Sequence, residues 1–240
     1  MKWPREILER DHEIQNPTSS AKIILLGEYL RLKKQTRVLD VACGQAEPAI
    51  LLSAKFGCSI LGLELRPGFA DIARQKITER GLEDRVEVRT CDASTFPLEP
   101  DSWDIALCLG ASFVWGNIAD AASALAPAVR INGFVAIGEP FWRQWPLPTG
   151  IDSADFVSLQ DTIDRFESSG LVTTGVIAAS EDDWNRYESL QWRAILEWLS
   201  ENPNHDHAAD IRSTHLKTKA NYLRYQRELL GWAIIVGRKA

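Results

Sequence analysis

A doubly wound α/β fold with a mostly parallel sheet is predicted for this chain of 240 residues by two observations. Short apolar runs alternate with helical patterns through most of the sequence, and the first runs end in small or acidic residues. Alternation of this kind buries a parallel sheet between helical layers.

Taken in order, residues 1–32 read as an N-terminal helical segment. Asn16, Pro17, Thr18 and Ser19 supply turn and cap chemistry before a stretch that carries Ile23, Ile24, Gly27 and Leu30 on one face. Strands are then predicted at RVLDVA (37–42), CSILGLEL (58–65), RVEVRT (85–90), WDIALCL (103–109) and GFVAIGE (133–139). The helix between the second and third runs starts at Pro67, which suits a first helical turn. It stops before Gly81, which tolerates a left-handed C-terminal position.

Phe156, Leu159, Ile163 and Phe166 repeat at helical spacing, and LVTTGVIAA from Leu171 reads as a sixth strand. Residues 180–230 break the alternation with two helical stretches, the first opened by Ser180 and Asp183 at capping-box spacing. They form a helical cap inserted before the last strand, GWAIIVG (231–237). No repeat or linker divides residues 1–240, so a single domain with a cap is expected.

A net charge of -6 and a pI near 5.3 disfavour a domain built to grip nucleic acid. The basic stretch from Arg212 to Arg227 reads as a solvated helix face. The N-terminal sequence has charges throughout and no apolar signal core, and no stretch has the apolar length of a membrane span, so a cytoplasmic protein is expected. Cys43, Cys58, Cys91 and Cys108 form no CxxC pair and are expected as reduced thiols. Asn204, His205, Asp206 and His207 read as a polar loop rather than a metal site, and no metal is expected.

In an open α/β sheet, ligands bind beyond the carboxyl ends of the strands. The first run ends in Asp40, Val41, Ala42, Cys43, Gly44, Gln45 and Ala46, a turn of small residues that lets a ligand lie against the backbone. The second ends in Glu64 and Leu65, about 20 residues on, where a carboxylate can accept from both hydroxyls of a ribose. The third ends in Cys91, Asp92 and Ala93, where a carboxylate can accept from an exocyclic adenine amine. These positions outline a nucleoside.

Residues 37–140 resemble the class I S-adenosylmethionine-dependent methyltransferases. VLDVACGQAEPAILLSAKFG is similar to the family's first motif and GLELRPGFADIARQKITERGLEDRVEV to its second with the helix and strand that follow. CDASTFP, WDIALCLGAS and LAPAVRINGFVAIGE resemble the third, fourth and fifth. The family commonly has glycine where this chain has Ala42 and Ala46.

The resemblance implies a Rossmann-like sheet of seven strands, mostly parallel with the last antiparallel, and helices on both faces. It implies S-adenosylmethionine as cofactor and S-adenosylhomocysteine as product. It assigns Asp40 and Gly44 to the methionine end, Glu64 to the ribose, Asp92 and Ala93 to the adenine, and Leu109 and Gly110 to the neighbourhood of the sulfonium, with Ala42 and Leu65 also among the cofactor-binding residues.

His12 and Glu139 are the candidate bases, and Ser112, Trp115 and Trp142, which follow the fourth and fifth strands, are candidates for the acceptor pocket. A small-molecule acceptor is expected, with neither nucleic acid nor membrane as partner. A nicotinamide-dependent oxidoreductase is the rival enzyme class, but it needs GxGxxG, which DVACGQAEP does not supply. A nucleic-acid or protein methyltransferase and a non-catalytic module of the same fold are the other rivals.

Overall fold

The computed structural model describes residues 5–153 and 156–240. Short helix α1 (Arg5–Leu8) and helix α2 (Ser20–Tyr29) precede β1 (Arg37–Val41), α3 (Glu47–Phe56), β2 (Ser59–Glu64), α4 (Pro67–Glu79), β3 (Val86–Thr90) and β4 (Trp103–Leu109). A 3-10 turn at Ser112–Val114 leads into α5 (Ile118–Ala128) and β5 (Val129–Trp142), followed by α6 (Leu159–Glu167) and β6 (Leu171–Ala178). The cap comprises α7 (Glu181–Glu201) and α8 (Ala208–Asn221), a π-helical turn Tyr222–Gln226 and the short α9 (Arg227–Leu229), before β7 (Leu230–Lys239).

The seven strands lie in the order β3-β2-β1-β4-β5-β7-β6, with β7 antiparallel to both β5 and β6 and the remaining pairings parallel. Two apolar layers cover its faces. Ile23 and Leu26 of α2, Ile50 and Leu52 of α3, and Ile77 of α4 join Trp184 of α7 in one; Ala121, Ala122 and Leu125 of α5 join Phe166 of α6 in the other. The predicted Rossmann-like fold with helices on both faces is the one observed.

Local chemistry explains the boundaries. The Ser19 hydroxyl accepts from the Lys22 N–H at the start of α2, and Gly81 takes φ +62° just past α4. At α7 the Asp183 N–H donates to Ser180 Oγ (3.2 Å) and the Ser180 N–H to Asp183 Oδ2 (2.8 Å), a closed capping box.

Two stretches differ from the sequence expectation. The N-terminal segment is helical only in part, since residues 9–19, which contain Pro17, form a strap over the strand ends. And β5 runs from Val129 to Trp142, beyond the predicted 133–139, because its antiparallel ladder with β7 continues to Trp142 opposite Leu230.

No helix among the described residues is long and apolar enough to cross a membrane. The four cysteines are free, three of them buried. The loop that carries His205 and His207 is exposed, and the His205 ring packs edge-on to Trp198 at 5.0 Å.

Candidate active site

The strand order reverses between β1 and β4, and a cavity of about 580 Å³ opens at the carboxyl ends of these strands. Its floor is the turn after β1. Ala42, Gly44 and Ala46 take left-handed φ of +54°, +57° and +58°, which folds the turn back sharply enough to start α3. Alanine therefore occupies two conformations that glycine adopts without a Cβ penalty. At Gly44 a Cβ would collide with Gln15 Oε1, so a side chain there would push the Gln15 amide away from the turn.

Glu64, 4% exposed at the end of β2, ties this turn to the next. Its Oε2 accepts from the Gly44 N–H (3.0 Å) and its Oε1 from the Arg66 N–H (2.8 Å). A carboxylate has about four acceptor sites, so capacity remains on the cavity side for a pair of ligand hydroxyls. Leu65 lines the cavity beside it.

Asp40 is buried under the same turn, its Oδ2 without a hydrogen-bond partner. Burial, and secondarily the nearby Glu64 carboxylate, push its pKa up to about 7. Leu109 and Gly110, the latter at φ +96°, close the end of β4.

Beyond β4 the Ser112 hydroxyl donates to Glu139 Oε2 at 2.6 Å. Burial raises the Glu139 pKa to about 6, against the lowering effects of that hydrogen bond and of Arg165. Both residues line the cavity, with Phe113 and Phe156 as apolar neighbours.

The strap and α7 form the roof. Glu9 organises the strap by accepting from Arg5 Nη1 (2.6 Å) and Gln15 Nε2 (3.0 Å), while Gln15 Oε1 accepts from the Gln45 N–H (2.8 Å). Ion pairs of Arg10 with Glu197 and of Arg193 with Asp11 fasten the strap to α7, whose Trp184 and Tyr187 face the cavity.

Several residues singled out in the sequence lie elsewhere. His12, 1% exposed, donates from Nε2 to the Tyr187 carbonyl at 2.9 Å, and burial lowers its pKa. It lies within the strap, turned to α7, and does not line the cavity. Trp142 is 3% exposed in the first apolar layer and donates from Nε1 to the Ser153 carbonyl at 2.9 Å. Trp115 packs against the second layer, below the 3-10 turn. Neither tryptophan meets the cavity. Asp92 and Ala93, at the end of β3, lie beyond its lining; Asp92 accepts from the Ser94 N–H (2.9 Å) and hydroxyl (2.7 Å), which holds its carboxyl below the usual range.

Gln15, Asn16 and Trp232 line the cavity without having been marked as site residues in the sequence. Only Trp232 leaves a sequence signal. A Cβ at Gly138 of β5 would collide with its ring, and glycine inside a strand marks such a close approach.

A ribose-competent carboxylate, a backbone cradle and a switch-point cavity define the class: a doubly wound α/β protein that holds a nucleoside-bearing ligand. Comparison with known proteins narrows it. Residues 38–133 match the methyltransferase domain family. The structure superposes with a TM-score of 0.91 on a SAM-dependent methyltransferase of Geobacter sulfurreducens in complex with S-adenosyl-L-homocysteine, 31% identical, covering 100% of this chain and 99% of that one. A SAM-dependent methyltransferase of Thiobacillus denitrificans, also in complex with S-adenosyl-L-homocysteine, gives a TM-score of 0.91 at 29% identity with 100% of both chains covered. The uncharacterized protein YjhP of Escherichia coli (strain K12) is 32% identical over 235 residues, 95% of this chain and 94% of that protein. The chain belongs to the S-adenosylmethionine-dependent methyltransferases.

The residues present fit that cofactor. The cavity volume lies in the range of small-molecule sites, about 300–1,000 Å³. Glu64 keeps acceptor capacity, and the orphaned Asp40 Oδ2 and Asn16 Oδ1 call for donors.

Proposed function

We propose that the protein transfers the methyl group of S-adenosylmethionine to a small-molecule acceptor by in-line displacement, with acceptor and cofactor held in one roofed cavity. The observation that carries this reading is the continuity of that cavity. It runs from Glu64 at the end of β2, past Gly110, to Ser112 and Glu139, under the strap and α7. A cavity of this volume, partly covered by the strap and α7, suits a small acceptor, and the net charge of -6 disfavours a polyanion.

When bound, the cofactor supplies an electrophilic methyl on a sulfonium. Glu64 would hold the ribose hydroxyls, Asp40 and Gly44 would receive the methionine end, Leu109 and Gly110 would flank the sulfur, and the adenine would reach past the cavity lining to Asp92 and Ala93. This placement is supported by the order in which β1, β2, β3 and β4 present those residues. The strap and α7 position the acceptor against the cofactor; positioning of this kind contributes ~7–11 kcal/mol to lowering a bimolecular barrier.

Glu139 is the base. Its pKa near 6 leaves it ionised at neutral pH yet more basic than a solvated carboxylate, and Ser112 fixes one oxygen. It takes the proton from an acceptor hydroxyl or ammonium, a contribution of ~10²–10⁴-fold.

The test is a cell extract separated into small-molecule and macromolecular pools, each incubated with the protein and methyl-labelled S-adenosylmethionine. Label enters the small-molecule pool if this reading holds. Label confined to protein or nucleic acid overturns it.

A further inference from the structure

Asn16 lies in the strap, 6% exposed, and lines the cavity. Its Nδ2 donates to the Leu109 carbonyl at the end of β4 (3.2 Å), while its Oδ1 is buried without a partner. The orientation of the amide is determined by that carbonyl, which can only accept; the reversed amide would set two acceptor oxygens against each other. The neighbouring residue, Gln15, grips the turn after β1 through the Gln45 N–H. The strap thus brings an acceptor oxygen to the place where the ends of β1 and β4 meet. Gly110 sits close by, where a Cβ would lie 3.7 Å from the Asn16 Cβ.

A buried oxygen with no partner is costly unless a ligand supplies a donor. The cofactor has three kinds of donor. Ribose hydroxyls belong with Glu64 on β2 and the adenine amine with the end of β3, which leaves the α-ammonium of the methionine moiety for the β1–β4 side. We propose that Asn16 is a cofactor-binding residue whose Oδ1 accepts a hydrogen bond from that α-ammonium, so that the N-terminal strap completes the methionine subsite. This rests on the cofactor placement given above.

The experiment is calorimetric titration of the parent protein, Asn16→Ala and Glu64→Ala with two probes: S-adenosylhomocysteine and its des-amino analogue, in which hydrogen replaces the α-ammonium. The parent is expected to prefer S-adenosylhomocysteine by about 10- to 100-fold, the range of a hydrogen bond to a charged group. Asn16→Ala loses most of that preference by weakening S-adenosylhomocysteine alone, whereas Glu64→Ala weakens both probes equally. Should Asn16→Ala not fold, Asn16→Leu, of similar volume, takes its place.

An undiminished preference in the folded Asn16 variant overturns the assignment, as does equal loss of both probes. So does a parent that binds the two alike. If Glu64→Ala leaves both affinities at parental values, it is the cofactor placement that fails.

Discussion

Glu64 uses one carboxylate to join two turns, through the N–H groups of Gly44 and Arg66, while facing the cavity. Glu64→Ala therefore removes a ligand acceptor and loosens the β1 turn together. Affinity for S-adenosylhomocysteine should fall by ~1.5–3 kcal/mol in calorimetry, the worth of hydrogen bonds to a charged group, with the variant still folded by circular dichroism. At Glu139 the prediction is a pH profile. A base with a pKa near 6 is active when ionised, so turnover should fall as pH drops through about 6, and Glu139→Gln should lose both the activity and that limb.

That Asp40, Gly44, Glu64, Leu109 and Gly110 line the cavity was legible in the sequence, because each stands at or just past the carboxyl end of a strand, where the switch-point cavity of this topology opens. Asn16 and Gln15 were not, since their role depends on the strap's passage over elements far away in sequence. The sequence pattern around them shows only turn chemistry.

At the level of elements, α7 is the roof beam and its start is fixed twice over. Asp183 accepts from the Ser180 N–H and hydroxyl and also pairs with Lys22 of α2. Ser180→Ala should cost ~0.5–2 kcal/mol in denaturant unfolding, the usual loss for an N-cap. Asp183→Ala should cost more, because it leaves the partly buried Lys22 ammonium without its carboxylate. The capping box was readable from Ser180 and Asp183 alone.

The faces of Trp142 and Trp115 were not readable in this way. With β5 ended at 139, Trp142 falls in a loop after the strand; with the ladder continued to 142, the two-residue period turns it onto the face that carries Ala136. Trp142→Ala should accordingly lower stability by ~3–5 kcal/mol, the range for emptying a buried aromatic site. Phe113→Ala, at an exposed cavity residue, should leave the melting temperature at its parental value and raise the acceptor KM.

Over the whole molecule, the sheet gathers Asp40, Glu64 and Glu139 at one end, where burial and the Glu64 carboxylate act together on Asp40. With its folded pKa raised from 3.8 to about 7, Asp40 binds a proton more tightly in the folded than in the unfolded chain. Its contribution to stability is complete below the unfolded pKa and is lost as pH rises through about 7. Asp40→Asn should therefore melt above the unliganded parent at about pH 8, with the gap narrowing toward about pH 5.

In the proposed reading, cofactor and acceptor share the cavity at the ends of β1, β2 and β4. A crystal structure of the S-adenosylhomocysteine complex tests it most directly. Ribose hydroxyls on Glu64, the sulfur beside Leu109 and Gly110, and open volume from the sulfur to Ser112 and Glu139 are expected. A ligand bound away from Glu64, or a sulfur walled off from Glu139 by protein, would contradict it.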